Sequence, residues 1–274
     1  MELYDKIFKP KKMELSNGKV VLEKASRAPF ILIVLVLAIL LSAKITGFQL
    51  SILIERGGQF FVILLRMFSP PDLSYIGKVI NPLVDTIKMS FLGSFVGSLL
   101  AIPFAILAAS NLVNNRVVLI VVRLFLSIVR TLPTLVSALI ATYIFGLGTM
   151  AGTIAILLFT FSYVGKQLYE QIETVDMGPF EAMEAIGANR AKGFLSAIMP
   201  QVLPAYLSVC LFCFEGNVRY ASILGYVGAG GLGLALNEKI GWRQYDSVGT
   251  ILIVLFLTVV CIESFSHYIR TKLT

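Results

Sequence analysis

The stretch GYVGAGGLG, residues 225–233, places glycines at 228, 230 and 233. That is the G-x-G-x-x-G spacing with which backbone amides cradle a pyrophosphate. Such a cradle needs a strand before it, a helix after it and an acid about 20 positions on. Here an apolar helical run comes first, and the nearest following acids, Glu238 and Asp246, stand five and 13 positions beyond Gly233. The pattern argues against a nucleotide-binding enzyme. Glycines at this density instead let a chain turn sharply at membrane depth, where irregular backbone survives only packed in protein or lining a cavity. Gly228, Gly230, Gly231 and Gly233 therefore carry two readings: a wall of a solute path, or a tight helix connection without a ligand.

Other spacings offer less chemistry. Cys210-Leu-Phe-Cys213 has C-x-x-C form but lies in an apolar run with no second pair and no nearby histidine. It reads as two small hydrophobes. His267, the one histidine, has no acid pair or second histidine beside it and reads as an interfacial residue. No G-x-x-x-x-G-K-[ST] phosphate loop occurs anywhere.

The elements that must hold these residues are membrane helices. Of 274 residues, 57% are hydrophobic and 14% charged, and mean hydropathy is +0.85. Soluble domains sit at about 45–50% apolar and about 25% charged. Apolar runs approach the roughly 20 residues that cross a bilayer. The net charge of +7 suits nucleic acid only superficially. Lys6, Lys9, Lys11, Lys12, Lys19, Lys24 and Arg27 all precede the first apolar run, with no aromatics interleaved. A basic tail beside a membrane segment marks the cytoplasmic side.

Periodicity and punctuation predict an all-α, polytopic chain of about six transmembrane helices. Residues 1–27 form a basic cytoplasmic tail and residues 28–46 an uncleaved anchor. Residues 47–81 form an external loop containing an amphipathic piece, Leu50–Met67. Further segments are expected at about 85–109, 117–145, 150–169, 202–223 and 247–269. The segment 117–145 exceeds one crossing, so its start is expected along the cytoplasmic interface with Arg123 reaching headgroups, and Pro133 should kink it. Residues 237–246 read as a polar connection. Six crossings place both termini and the loop at 170–192 in the cytoplasm, and the glycine loop outside.

Ionisable groups inside a bilayer are costly and are functional candidates by default. Glu215 and Arg219, one helical turn apart, can pair. They read either as a structural ion pair or as a mouth where Arg219 attracts an anionic solute. Lys88 reads as a second path cation or as a snorkelling lysine. Arg130, beside Pro133, lines the pore or holds the kink. Glu263 and Lys166 read equally well as glue between helices.

The polar stretch PFEAMEAIGAN, residues 179–189, is the strongest signal. Pro179 suits a first helical turn. Glu181 and Glu184 lie on one side of a short helix near its positive end. Phe180, Met183 and Ile186 can present an apolar edge. Gly187 can stop the turn in a left-handed conformation, and a second short helix should run from Asn189 towards Ile198. Such an elbow fits a partner's groove, or is an ordinary interfacial helix.

At these residues the chain resembles the permease subunits of binding-protein-dependent ABC importers, whose cytoplasmic signature is E-A-A-x-x-x-G-x(9)-I-x-L-P. Glu181, Ala182, Gly187 and Pro200 match; Met183, Ala197 and Met199 replace an alanine, an isoleucine and a leucine. PLVDTIKMS (82–90), RTLP (130–133), GLG (146–148), Ala151-Gly152, PQVLP (200–204) and FEGNVR (214–219) followed by GYVGAGGLG look like the phosphonate-type permeases.

The resemblance implies a type I importer (MetI-like) permease domain over residues 82–270, a coupling loop at 176–200 and a cytoplasmic tail at 271–274. It implies no cofactor in this chain. ATP and magnesium would be held by a separate ABC ATPase dimer, which would receive Phe180, Glu181, Ala182, Met183, Glu184, Gly187 and Pro200. The other implied partners are a second permease copy, an external substrate-binding protein and membrane lipid, with no nucleic acid. The solute would be phosphonate or a related phosphorus oxyanion. Alternatives are a permease for another solute such as an amino acid, an ion-coupled carrier, or a membrane enzyme using the glycine loop.

Overall fold

The computed structural model describes residues 11–14, 18–23 and 28–273. Lys6, Lys9, Lys24 and Arg27 of the basic tail, and Thr274, lie outside them. The chain divides into two compact units, Met1–Val62 and Ile63–Thr274.

In the first unit, β1 (Lys11–Glu14) pairs antiparallel with β2 (Val20–Glu23), a pair the sequence reading did not foresee. Helix α1 (Ala28–Thr46) is apolar on every side and none of its residues is buried. A helix greasy all round and covered by nothing is suited to lipid. Helix α2 (Leu50–Phe68) runs across the boundary into the second unit.

The second unit is a helical bundle: α3 (Ile76–Ala108), α4 (Arg116–Thr131), α5 (Thr134–Phe145), α6 (Thr149–Glu173), α7 (Gly178–Ala185), α8 (Arg190–Gly193), α9 (Met199–Leu224), α10 (Gly231–Gly241) and α11 (Tyr245–Leu273). One π-helical turn, Phe194–Ile198, joins α8 to α9. Five helical stretches among the described residues are long and apolar enough to cross a membrane, and the α4–α5 pair would make a sixth.

Two elements depart from the sequence reading. The expected kinked helix over 117–145 is broken, with α4 and α5 set at 88°. Leu132 before the proline is extended (φ −73°, ψ 118°), as steric conflict with a following proline ring demands. Pro133 then stands at the start of α5 (φ −58°, ψ 137°), where its missing donor is harmless. The supposed polar connection after the glycines is instead largely helix α10.

The bundle is built around α3 and α6. Met89 meets Gly152, Gly93 meets Ile156, and Gly97 meets Leu157 and Thr160; numbers rise together along both helices, so the two run parallel. A Cβ at Gly97 would lie 2.7 Å from the Leu157 carbonyl. Lipid supplies no hydrophobic drive between helices, so such association depends on small residues that let backbones approach. Ser90, Ser94 and Ser98, then Ala101, Ala105 and Ala108, continue the small-residue face of α3.

Helix α9 closes on this pair. Asn217, buried in the middle of it, donates to Ser94 Oγ and Thr160 Oγ1, each at 2.8 Å. One amide thus knots three helices. A larger apolar cluster (Ala105, Leu126, Val164, Ile172, Ile198, Val202) fills the end nearer α7. A smaller one (Met89, Ala138, Ile156, Leu224, Ala229) fills the end nearer the glycines.

Candidate coupling elbow and solute path

Helix α7 starts where the sequence reading put it. Asp176 accepts from the Gly178 amide at 2.9 Å, and Pro179 stands in the first turn. It ends at Gly187, which adopts φ 84°. There the Gly187 amide donates to the Glu184 carbonyl at 2.9 Å and the Ala188 amide to the Met183 carbonyl at 3.0 Å. A left-handed residue closing two such bonds is a helix stop that glycine fills without strain. Asn189 then caps α8, accepting from the Ala191 amide at 3.2 Å.

The expected apolar edge is corrected in part. Phe180 is 4% exposed and turns inward; a Cβ at Gly193 would lie 3.1 Å from its ring. Eight residues give two turns, and the side facing α8 takes the aromatic because burying it is worth most there. Met183 and Glu184 are half-buried, whereas Glu181, Ala182, Ala185, Ile186, Gly187 and Pro200 are exposed. The outward face is therefore one acid and small or aliphatic groups.

Three residues hold the elbow that sequence reasoning missed. Arg190 Nε donates to Glu184 at 2.9 Å and its Nη1 to the Leu112 carbonyl at 3.4 Å. The side chain of Gln201 pairs with the Asp176 backbone, accepting at 3.2 Å and donating at 3.1 Å. Glu173, at the end of α6, accepts from the Ser110 amide at 2.8 Å and is ion-paired with Arg123. The available signals were an arginine three positions past Gly187 and the carboxylates Glu170, Glu173 and Asp176 that open the polar stretch after the fourth apolar segment. Arg123, expected at headgroups, also donates to the Ala108 carbonyl at 2.9 Å and stands over the Tyr169 ring at 4.9 Å. Inward carbonyl and carboxylate acceptors hold it more firmly than lipid would.

At the other end, the glycine loop is packed against protein. Gly148 donates to the Gly228 carbonyl at 2.9 Å. A Cβ at Gly230 would lie 2.8 Å from the Thr149 amide, and one at Gly231 would lie 2.6 Å from Thr86 Oγ1. Gly233 sits against the Ser222 carbonyl. The Leu232 amide donates to Thr86 Oγ1 at 2.7 Å, ten residues or about 15 Å along α3 from Ile76. A helix does follow these glycines, but a helix also precedes them, and the Gly228 and Ala229 amides already serve Gly225 and Leu224 carbonyls. Close backbone approach explains the glycines here.

The charges discussed above fall into one group at Glu215, one pair, Lys166 with Glu170, and the separate positions Lys88 and Arg130. Glu215, 5% exposed, accepts from Arg219 at 2.8 Å and faces Arg270 at 3.8 Å. Arg270 comes from the far end of α11, so the sequence spacing gave only half of this arrangement. Lys88 and Arg130 are both exposed. Arg130 borders a small pocket between α4 and α6 with Lys166 and Tyr169; Pro133, three residues on, is exposed. Lys166 pairs with Glu170 at 3.3 Å. Among the described residues, no hydrogen bond or ion pair joins Lys88, Arg130 and Arg219 to one another. Among the described residues no three of His, Cys, Asp and Glu gather as a metal site. Cys213 is buried and Cys210 half-buried, both free thiols in the larger apolar cluster.

Comparison with known proteins bears on this geometry. A family model described as "Binding-protein-dependent transport system inner membrane component" matches residues 101–273. The phosphite transport system permease protein PtxC of Stutzerimonas stutzeri is 35% identical over 201 residues, 73% of either chain. The phosphate-import permease protein PhnE of Mycolicibacterium smegmatis is 34% identical over 205 residues, 74% of this chain and 38% of that one. The structure titled "Inward facing conformations of the MetNI methionine ABC transporter: CY5 native crystal form" superimposes with a TM-score of 0.65 at 20% identity, covering 74% of this chain and 99% of that one. At that identity the likeness concerns the fold.

Proposed function

This chain belongs to the family of binding-protein-dependent transport system inner membrane components, and from that membership we infer which solute it moves and how it is driven. Members are multi-pass membrane subunits of ABC importers, transport components rather than enzymes. We take the solute to be a phosphorus oxyanion such as phosphonate, phosphite or phosphate. The observation that carries this is the 35% identity over 201 residues with a phosphite permease. Arg219, half-exposed beside a buried carboxylate, supplies a cation suited to such an anion.

Drive would come through the elbow. Its outward residues, Glu181, Ala182, Ile186 and Pro200, would sit in a groove of a separate ATPase that holds ATP and magnesium. The exposed, capped, single-anchor helix α7 supports that role. Two permease copies would pair, the elbow would face the cytosol, and an external binding protein would dock at the glycine end. Closure of the ATPase dimer would then swing the bundles between inward- and outward-facing states.

The test is uptake into proteoliposomes holding this chain, its ATPase and its binding protein. ATP-dependent uptake of phosphite, phosphonate or phosphate, but not methionine, is expected. Uptake of methionine alone would refute the solute assignment. Glu181→Lys with Gly187→Pro should leave the bundle folded yet abolish uptake, and undiminished uptake would refute the coupling role.

A further inference from the structure

Helix α3 carries a polar stripe on its uncovered side. Asn81, Asp85 and Lys88 stand at i, i+4 and i+7, which places them within about 60° of one another around a helix axis. All three are exposed. Among the described residues none of them has a hydrogen bond or an ion pair. Asp85 and Lys88 are a single turn apart and still do not bond each other. Gly93 and Gly97, which meet α6, lie about 110° and 150° round from the middle of the stripe.

The stripe sits deep. Helix α3 belongs to a stretch long and apolar enough to cross a membrane. Its 33 residues make about 50 Å, and Asp85 and Lys88 lie about 10 and 6 Å from its midpoint at Leu92. Half of a hydrocarbon core is about 15 Å thick, so a centred helix holds both charges inside it. Ionised side chains at that depth are costly without a partner. The fold supplies none, so the partner comes from outside the chain. Its chemistry is set by the charges. An anionic solute or headgroup would satisfy Lys88 and oppose Asp85, and a lipid tail would satisfy neither. One acid and one base a turn apart are complementary to themselves: about a two-fold axis, the acid of one copy meets the base of the other, and the reverse. Farther along α3, Leu92, Phe95 and Leu99 continue the stripe as exposed apolar groups, which gives the same face a dry half.

We propose that this face of α3 is where two copies of the chain meet, with Asp85 of each bridged to Lys88 of the other. The proposal rests on the reading that two copies pair, and it names the surface they use; neither the solute nor the ATPase enters it. A two-fold axis along the membrane normal keeps both copies in one orientation, so their α3 helices run parallel. The rise of about 4.5 Å between positions 85 and 88 is within the reach of a lysine side chain. Charge pairs between neighbouring helices set partner and register in the same way in coiled coils.

The full chain would be made with two different affinity tags and weighed by native mass spectrometry from detergent. The ATPase is left out, because its own pairing would hold two copies together. The wild-type chain should form a dimer. Asp85→Lys presents only cations to its own copy and Lys88→Asp only carboxylates, so each alone should weaken pairing about a hundredfold. Co-expressed, the two variants complement each other and should form a mixed dimer carrying both tags. Pairing of the two charges along a single helix predicts no such rescue. Asp85→Asn should weaken pairing about tenfold, and it decides if a reversed chain fails to fold. Three results would overturn the proposal while leaving the pairing of copies intact: dimers that survive both reversals, unchanged pairing in Asp85→Asn, or reversed chains that part and stay apart when mixed. A wild-type chain that stays monomeric would overturn the proposal and the paired reading together.

Discussion

Replacing Phe180 by alanine should detach the elbow while leaving the bundle intact. The side chain is 4% exposed and rests on Gly193, so its removal forfeits both the ring's burial and the contacts around the space left behind. Phenylalanine-to-alanine changes at such sites cost about 3–5 kcal/mol. The other ties of α7 are small by comparison. The Glu184–Arg190 pair has 36% and 64% exposed side chains, and exposed pairs contribute about 0.2–1 kcal/mol. Those ties cannot offset the loss, so residues 178–188 should open locally. Phe180 belongs to the larger apolar cluster. The glycine contacts of α3 with α6, the Asn217 bonds and the smaller cluster do not involve it, so melting of the bundle should change far less than protection in the elbow. Opening should rise more than a hundredfold, since each 1.4 kcal/mol is about a factor of ten. Hydrogen exchange on the reconstituted chain reads this directly: amides of Ile186, Gly187 and Ala188 should lose protection while those of α6 keep theirs. Unchanged protection at these three amides would refute the anchoring argument. A bundle that melts as a whole would refute the claim that the elbow is a separate unit.

Other expectations follow from single contacts. Gly97→Leu puts side-chain carbon against the Leu157 carbonyl and should abolish stable folding in detergent. Gly77→Ala, with nothing within 4 Å, should instead raise stability by about 0.5–1 kcal/mol; equal effects would undo the packing argument. Asn217→Ala removes two bonds that average about 0.6 kcal/mol each in membranes, and should lower the melting temperature by a few degrees. No change would mean that the three-helix knot is idle. Glu215→Gln removes the carboxylate that Arg219 and Arg270 both face and should destabilise more than Arg219→Gln, after which Arg270 still faces Glu215. If thermal melts rank them the other way, Glu215 is not the hub.

How much of this was readable follows the physics of each element. Helix α1 was placed at residues 28–46, as found, because an uninterrupted apolar run has one interpretation. The Gly187 stop was readable because a glycine after a short polar helix has few other uses. The inward turn of Phe180 was not, since eight residues carry apolar groups on either side and only the position of Gly193 decides between them. Proline at 133 announces a discontinuity without its angle: the same residue kinks a helix or starts a new one. Helix α10 was hidden by glycines and polar residues that weaken any periodic signal. The approach of Arg270 to Glu215 depends on how α11 lies against α9, which no local spacing encodes.

The parallel contact between α3 and α6 limits how the bundle can work. Backbones that touch through Gly93 and Gly97 cannot slip past one another by a turn, because Ile156 and Thr160 would collide with side chains where they now meet none. Those two helices and α9, laced in by Asn217, form a keel. The proposed alternation would have to hinge at the rims, at the square corner before Thr134 and at the tethered elbow, with the keel tilting whole.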